Sequence, residues 1–338
     1  MLVRPKVFVT SQHPGNAVNR LREQTEVDAW ESDELPEADL LSHMKDKDAV
    51  LSVVPNRFSA DVINALPKLM LIANAAVGYD NIDVPAATER GIPVVNTPGV
   101  LDDTTADLAF ALMLAVARRI VEADKFVRAD QWKSFTADLM LGTDVHGKVL
   151  GIIGLGRIGQ AMARRARGFD MEILYFQRNR APKELEEKLQ ATHVSLATLL
   201  QRSEFISVHC PLTPNTRALL GARAFSLAKH RPILINTARG PIVDEAALIQ
   251  ALKEGTIAGA GLDVFQNEPN VPRELIEMDN VVLAPHIGSS TSATRAAMAN
   301  LAVDGLLKAF AGDKPHNLVN PQSWDKFMER LQVGASRS

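Results

Sequence analysis

One stretch limits the fold of this chain more than any other. Residues 149–153 are apolar, and Gly154-Leu155-Gly156-Arg157-Ile158-Gly159 follows at once. A helix-forming run from Gln160 to Arg167 and a second apolar segment, Glu172 to Phe176, come next. Strand, G-x-G-x-x-G turn, helix and strand within roughly thirty residues is the setting of a dinucleotide-binding loop. Gly154 permits the tight turn, Gly156 admits a pyrophosphate to the backbone, and Gly159 lets helix and strand pack closely. The free amides at the helix start then face the phosphates.

The end of the second strand bears on which dinucleotide is bound. An acid there would bond the ribose 2′-hydroxyl of NAD. This chain has Gln177, with Arg178, Asn179 and Arg180 after it. A neutral amide beside two guanidinium groups suits a 2′-phosphate, so the expectation is NADPH, with NADH used weakly. The competing reading takes Arg178 and Arg180 as solvated loop charges.

A length of 338 residues exceeds one ordinary core and predicts two domains. A net charge of −3 gives no reason to expect nucleic acid or an anionic membrane as a partner. The single cysteine, Cys210, precludes an intramolecular disulfide and points to a reducing compartment. No long apolar segment of a secretory signal follows Met1, and the apolar run Leu108 to Ala117 is too short to span a bilayer. The expectation is a cytoplasmic protein.

The first hundred residues alternate apolar stretches (6–10, 26–30, 49–54, 69–73, 93–96) with helix-like ones (16–24, 60–66, 84–90), which predicts a small open parallel α/β domain. Residues 102–128 read as one long helix crossing into the second domain. Six strands follow there, at 149–154, 172–177, 205–210, 232–237, 258–265 and 280–286, as in a doubly wound sheet. A second long helix, 292–310, returns to the first domain. The expected division is 1–100 with 290–321, then 101–289, with 322–338 a tail.

Ligands of open parallel sheets lie beyond the carboxyl ends of the strands. The fourth of these six strands ends in Thr237-Ala238-Arg239-Gly240, the fifth in Asp263 and then Glu268-Pro269, and the sixth in Pro285-His286-Ile287-Gly288. A guanidinium grips a carboxylate with paired bonds, so Arg239 is the candidate substrate anchor. His286 is the candidate acid/base at a substrate oxygen while hydride moves to carbon. Glu268 would fix the imidazole tautomer and keep the ring charged, and Asp263 would orient a nicotinamide amide. Taken singly, each also reads as an ordinary loop charge or a hydrogen-bonded loop residue. His209 either lines the cofactor site or packs in the core. His13, His43, His146, His193, His230 and His316 are expected in loops or helices. No His, Cys or carboxylate spacing suits a metal.

The chain resembles the D-isomer-specific 2-hydroxyacid dehydrogenase family, most of all its glyoxylate/hydroxypyruvate reductase branch. The likeness runs to about Pro321 through residues 74–83, 91–98, 105–108, 151–159, 235–241, 259–265 and 285–289. It implies two doubly wound parallel α/β domains, a Rossmann nucleotide domain and a smaller flavodoxin-like substrate domain. It implies that Arg239, Glu268 and His286 are catalytic, and that the amides of Val77 and Gly78 hold the substrate carboxylate beside the loop 51–55. It places Arg157 and Ile158 at the pyrophosphate and Pro211 and Thr216 along the adenosine. Thr105, Thr237 and Gly288 fall near the nicotinamide. The basic pair Arg178 and Arg180 matches members that use NADPH. A homodimer is implied, in which Met140 stands where a residue of the neighbouring subunit reaches the active site and where some related reductases place tryptophan. No regulatory extension is expected after the core. The implied reaction is reduction of a small 2-keto acid such as glyoxylate or hydroxypyruvate. The alternatives are a 2-ketogluconate-type sugar acid as substrate, or a dinucleotide-sensing binding protein.

Overall fold

The computed structural model describes residues 4–32 and 35–336. The chain divides into two compact units, Met1–Leu101 with Ser290–Ser338, and Asp102–Ser289.

The first unit holds five strands, β1 (Lys6–Val9), β2 (Glu26–Ala29), β3 (Ala49–Ser52), β4 (Leu71–Asn74) and β5 (Val94–Val95). They form one parallel sheet in the order β2-β1-β3-β4-β5. Strands β3 and β4 are buried at every residue, which explains why they read as continuous apolar runs instead of alternating ones. One face packs on the helix Ser292–Phe310 through Ala299, Ala302, Val303 and Leu306. The other packs Phe8, Val50 and Ile72 against Leu40, Met44, Val62 and Ile63.

The second unit holds seven strands, β6 (Val149–Ile153), β7 (Glu172–Phe176), β8 (Ala191–His193), β9 (Phe205–Val208), β10 (Ile233–Asn236), β11 (Gly259–Leu262) and β12 (Val281–Leu283). Their order is β12-β11-β10-β9-β6-β7-β8, all parallel. The chain leaves β6 toward β7 on one side and comes back to β9 on the other. The order therefore reverses at β6, where a doubly wound sheet opens a crevice at its carboxyl edge.

Four sequence expectations need correcting. The second sheet has seven strands, not six. The extra β8 is a three-residue edge strand, too short to show a pattern, and it carries His193, which therefore lies in neither a loop nor a helix. Residues 102–128 form two helices, Asp102–Ala117 and Ile120–Arg128, separated at Arg119 with φ 54°. The break is tertiary in origin. Thr143 N donates to Ala117 O at 2.8 Å, so a returning segment takes the carbonyl that another helical turn would have used. A helix at Glu37–Met44 lies where none was read. Residues 324–336 are a helix, not a tail. Trp324 and Phe327 are buried in the first unit's core, with Met328 and Leu331 packed beside them. That i, i+3, i+4, i+7 stripe is the signature of a docked helix.

Phe327→Ala should therefore destabilise the protein by about 3–5 kcal/mol, the usual cost of emptying a buried aromatic site. Denaturant unfolding reads this directly, and an unchanged midpoint would mean the helix contributes nothing to the core.

Candidate active site

The glycine loop is shaped by close contacts that only glycine allows. Gly154 has φ +97°, and a Cβ there would stand 2.7 Å from Cys210 N, where the chain leaves β9. At Gly159 a Cβ would meet Gly154 O at 2.1 Å. Gly156 differs, because a Cβ there would meet nothing within 4 Å. Gly156 also caps the helix Arg157–Arg167 with no side-chain bond to its first amides. Open space above a helix start whose amides have no side-chain cap fits a pyrophosphate. Arg157 is exposed and Ile158 half-buried in the first turn.

Both ends of the loop after β7 are pinned. Leu155 N donates to Gln177 Oε1 at 3.0 Å, so the Gln177 side chain already braces the glycine turn. At the far end Ala181 N donates to Tyr175 Oη at 2.9 Å. Tyr175 Oη donates to Glu186 Oε1 at 2.5 Å. Arg180 grips the same carboxylate with two prongs, Nε to Oε1 at 2.9 Å and Nη2 to Oε2 at 2.8 Å. The Arg180 bond, then the tyrosine, hold the Glu186 carboxyl down at about 2. Arg178 is exposed. Sequence reading missed Tyr175 and Glu186, because a buried strand tyrosine and one acid within Lys-Glu-Leu-Glu-Glu-Lys (183–188) carry no distinguishing signal.

Beyond β9, Thr216 Oγ1 donates to Pro211 O at 2.6 Å and accepts from Thr213 N at 2.8 Å, closing the loop that carries both expected adenosine contacts. His209 lies at the strand end with Nε2 2.8 Å from Ser207 Oγ. Burial depresses its pKa to about 4, so the ring is neutral near pH 7. Burial likewise lifts the Cys210 thiol to about 11, far from a reactive thiolate.

The second unit brings the ends of β10, β11 and β12 together. Asn236 Oδ1 accepts from Ala238 N at 3.0 Å, and its Nδ2 donates to Arg239 O at 2.9 Å. Arg239 Nη1 donates to Ala238 O at 2.8 Å. A Cβ at Gly240 would lie 1.9 Å from Phe265 C, so only glycine lets the arginine loop touch the chain leaving β11. Phe265 N donates to Glu268 Oε1 at 3.0 Å, and Glu268 Oε2 lies 2.7 Å from His286 Nδ1. Burial raises the Glu268 pKa, but the His286 bond and charge, the Phe265 amide and the Arg239 charge outweigh it, and the carboxyl ends below its usual range. With Nδ1 committed to Glu268, Nε2 is the nitrogen left for a ligand.

Asp263 sits under this arrangement at 1% exposed. Its oxygens accept from Ile287 N at 2.7 Å and Gly288 N at 2.8 Å, and its carbonyl accepts from His286 N at 2.9 Å. It holds the His286 turn, a role the sequence did not reveal. Burial raises its pKa against the pull of those amides and of His286. Gly288 lies close to Thr105 as well as to Asp263. Thr237 Oγ1 is buried with no hydrogen-bond partner among the described residues. An orphaned hydroxyl two residues before Arg239 fits a ligand with a polar group there.

In the first unit, Val77 and Gly78 follow β4. Their carbonyls are tied back by Asn96 Nδ2 and Asn74 Nδ2, each at 2.8 Å. Of the loop expected at 51–55, Leu51 and Ser52 belong to β3 and are fully buried, so only Val53–Pro55 leave the sheet. In the second unit Met140 is half-buried at φ 50°. Among the described residues no His/Cys/Asp/Glu group is placed to hold a metal ion, and no helix is long and apolar enough to cross a membrane.

Comparison with known proteins places this geometry. Residues 110–288 match the model of the D-isomer specific 2-hydroxyacid dehydrogenase NAD binding domain. A glyoxylate reductase of Thermococcus litoralis is 50% identical over 323 residues, covering 94% of this chain and 97% of that protein. The crystal structure of a glyoxylate reductase from Paecilomyes thermophila superposes with TM-score 0.86 at 33% identity, over 95% of this chain and 100% of that one. An NADPH-dependent glyoxylate/hydroxypyruvate reductase from Sinorhizobium meliloti, solved with NADP and malonate, gives 0.84 at 36% identity, over 95% and 98%.

The depressed Glu186 carboxyl has a measurable consequence. Its contribution to stability is fully present above the ordinary value of 4.5 and is lost as pH falls toward about 2. Denaturant midpoints measured from pH 5 down to pH 2.5 should fall less steeply in Glu186→Gln than in the parent chain. Parallel curves would show that the carboxylate is not held as described.

Proposed function

The chain belongs to the D-isomer specific 2-hydroxyacid dehydrogenase family, and on that premise we propose that it reduces glyoxylate or hydroxypyruvate to the 2-hydroxy acid, of D configuration where the product is chiral, with NADPH preferred. The observation that carries this reading is the 2.7 Å contact between His286 Nδ1 and Glu268 Oε2, with the Arg239 loop seated against the same chain segment.

A nicotinamide held at the glycine loop would supply hydride for the substrate carbonyl carbon. The residues do the rest. Arg239 takes the keto acid's carboxylate in a two-pronged grip and polarises the neighbouring carbonyl. His286 delivers a proton from Nε2 to the carbonyl oxygen, which becomes the hydroxyl. Glu268 accepts from Nδ1, fixing the tautomer and favouring the charged ring. Asp263 and Gly288 hold the histidine turn, with Thr105 and Thr237 beside the nicotinamide. Gly154, Gly156, Arg157, Ile158 and Gly159 receive the pyrophosphate, Pro211 and Thr216 flank the adenosine, and Arg178 and Arg180 favour a 2′-phosphate over a hydroxyl. The first unit is the substrate domain in this reading and the second the nucleotide domain.

Exposed apolar side chains of the second unit support a homodimer. The helix Ile120–Arg128 has no buried residue, and Ile120, Val127, Trp132, Phe135 and Leu141 are all more than half exposed. Large apolar side chains left this exposed within one stretch of chain suit a partner surface, and a second copy is the partner we propose.

Wild-type protein should oxidise NADPH rapidly with hydroxypyruvate or glyoxylate, and NADH slowly. His286→Ala should lower kcat by about 10²–10⁴-fold, the usual contribution of a positioned acid/base, while the NADPH Kd holds. Turnover near normal in that variant would refute the role of His286, and equal Michaelis constants for the two cofactors would refute the preference. Sedimentation should give a dimer for the parent chain and a monomer for Trp132→Asp/Phe135→Asp; a monomeric parent would contradict the assembly.

A further inference from the structure

Arg180 is the one member of the basic pair whose geometry is fixed, and the fixing comes from below. Glu186 is almost wholly buried, its side chain 8% exposed, while the Arg180 side chain above it is 68% exposed. The carboxylate is in turn held by Tyr175, which is completely buried in β7 and also accepts the Ala181 amide. Tyrosine, glutamate and arginine thus form a column rising from the sheet to the surface at the end of β7. The dinucleotide fingerprint puts the adenosine ribose at that strand end.

We propose that Tyr175 and Glu186 are positioning residues for cofactor choice. Glu186, itself held by Tyr175, grips Nε and Nη2 of Arg180 and so presents the remaining edge of the guanidinium to the 2′-phosphate of the dinucleotide. This rests on the NADPH reading given above and adds the means by which a single arginine at the edge of a loop discriminates. A free arginine on such a loop loses most of its rotamer freedom when it meets a ligand. One already clamped by a two-pronged bond has lost it on folding, so the contact with phosphate is weakened less by ordering. The opposite effect is also physical, since the Glu186 charge lies close to Arg180 and opposes a nearby phosphate. The two effects change affinity in opposite directions when Glu186 is neutralised, and a binding measurement separates them.

The experiment is calorimetric titration of the intact protein with adenosine 2′,5′-bisphosphate and with AMP, which differ only in the 2′-phosphate. It needs no turnover. Glu186→Gln should weaken the bisphosphate by about tenfold, the scale of one freed long side chain, and leave AMP unchanged. Tyr175→Phe should shift the same ratio in the same direction. Arg180→Ala should lose the preference for the bisphosphate altogether. Loss in Arg180→Ala together with unchanged or tighter bisphosphate binding in Glu186→Gln would overturn the positioning role and leave the NADPH reading standing. A preference that survives Arg180→Ala would also overturn the positioning role, because Arg180 would then not be the group that meets the phosphate, and a parent chain with no preference for the bisphosphate over AMP would overturn both readings. Should Tyr175→Phe fail to fold, Glu186→Gln and Glu186→Asp carry the test alone, with the aspartate expected to restore part of the ratio.

Discussion

The two oxygens of Asp263 receive the amides of Ile287 and Gly288, and its carbonyl receives that of His286. Three successive backbone groups are thereby referred to one residue at the end of β11. His286 itself sits at φ 55°, a left-handed conformation that a non-glycine residue holds only when its surroundings impose it. The carboxylate supplies that imposition. Burying it is costly, and the amides that offset the cost are the ones that fix the histidine turn. The His286 backbone is thus tied to the end of β11 by Asp263.

The same principle recurs at the other functional end of the unit. Glu186 is a second buried carboxylate that fixes a surface cation, Arg180, and Gln177 uses its amide oxygen to brace the glycine turn. At Gly240 no side chain is tolerated, because the arginine loop and the chain after β11 share one space. In each case a candidate site residue or its loop is held by a neighbouring group. Rigid elements with locked supports are what precise chemistry requires, since a displacement of about 1 Å can cost 10²-fold in rate.

Much of this was legible in the sequence because it is local. The apolar runs of β9, β10 and β11 show through their uniform burial and those of β6 and β7 through their buried centres, and the helix Ser292–Phe310 falls on the residues its pattern marked. The rule that ligands gather at strand ends was enough to select Arg239, Glu268 and His286. What stayed hidden depends on distant partners. Asp263 reads only as a candidate ligand contact, and its hold on the amides twenty-four and twenty-five residues later has no local signal. Glu186 reads as one acid in a charged helix. The break at Arg119 is invisible because Thr143 causes it. The helix Trp324–Ser336 is a different case, for its stripe of Trp324, Phe327, Met328 and Leu331 was present in the sequence.

The measurement that bears most directly on the placement of His286 is steady-state turnover of Asp263→Asn set beside its NADPH affinity. Asparagine has one carbonyl oxygen where aspartate has two acceptors, so one of the two amides loses its partner and the histidine turn loosens. The expected result is a fall in kcat of about a hundredfold, the scale of a slight misplacement of a reacting group, with cofactor Kd close to that of the parent. Parental kcat in a folded Asp263→Asn protein would contradict it, and would mean that His286 is held, or the proton delivered, by something other than this buried carboxylate.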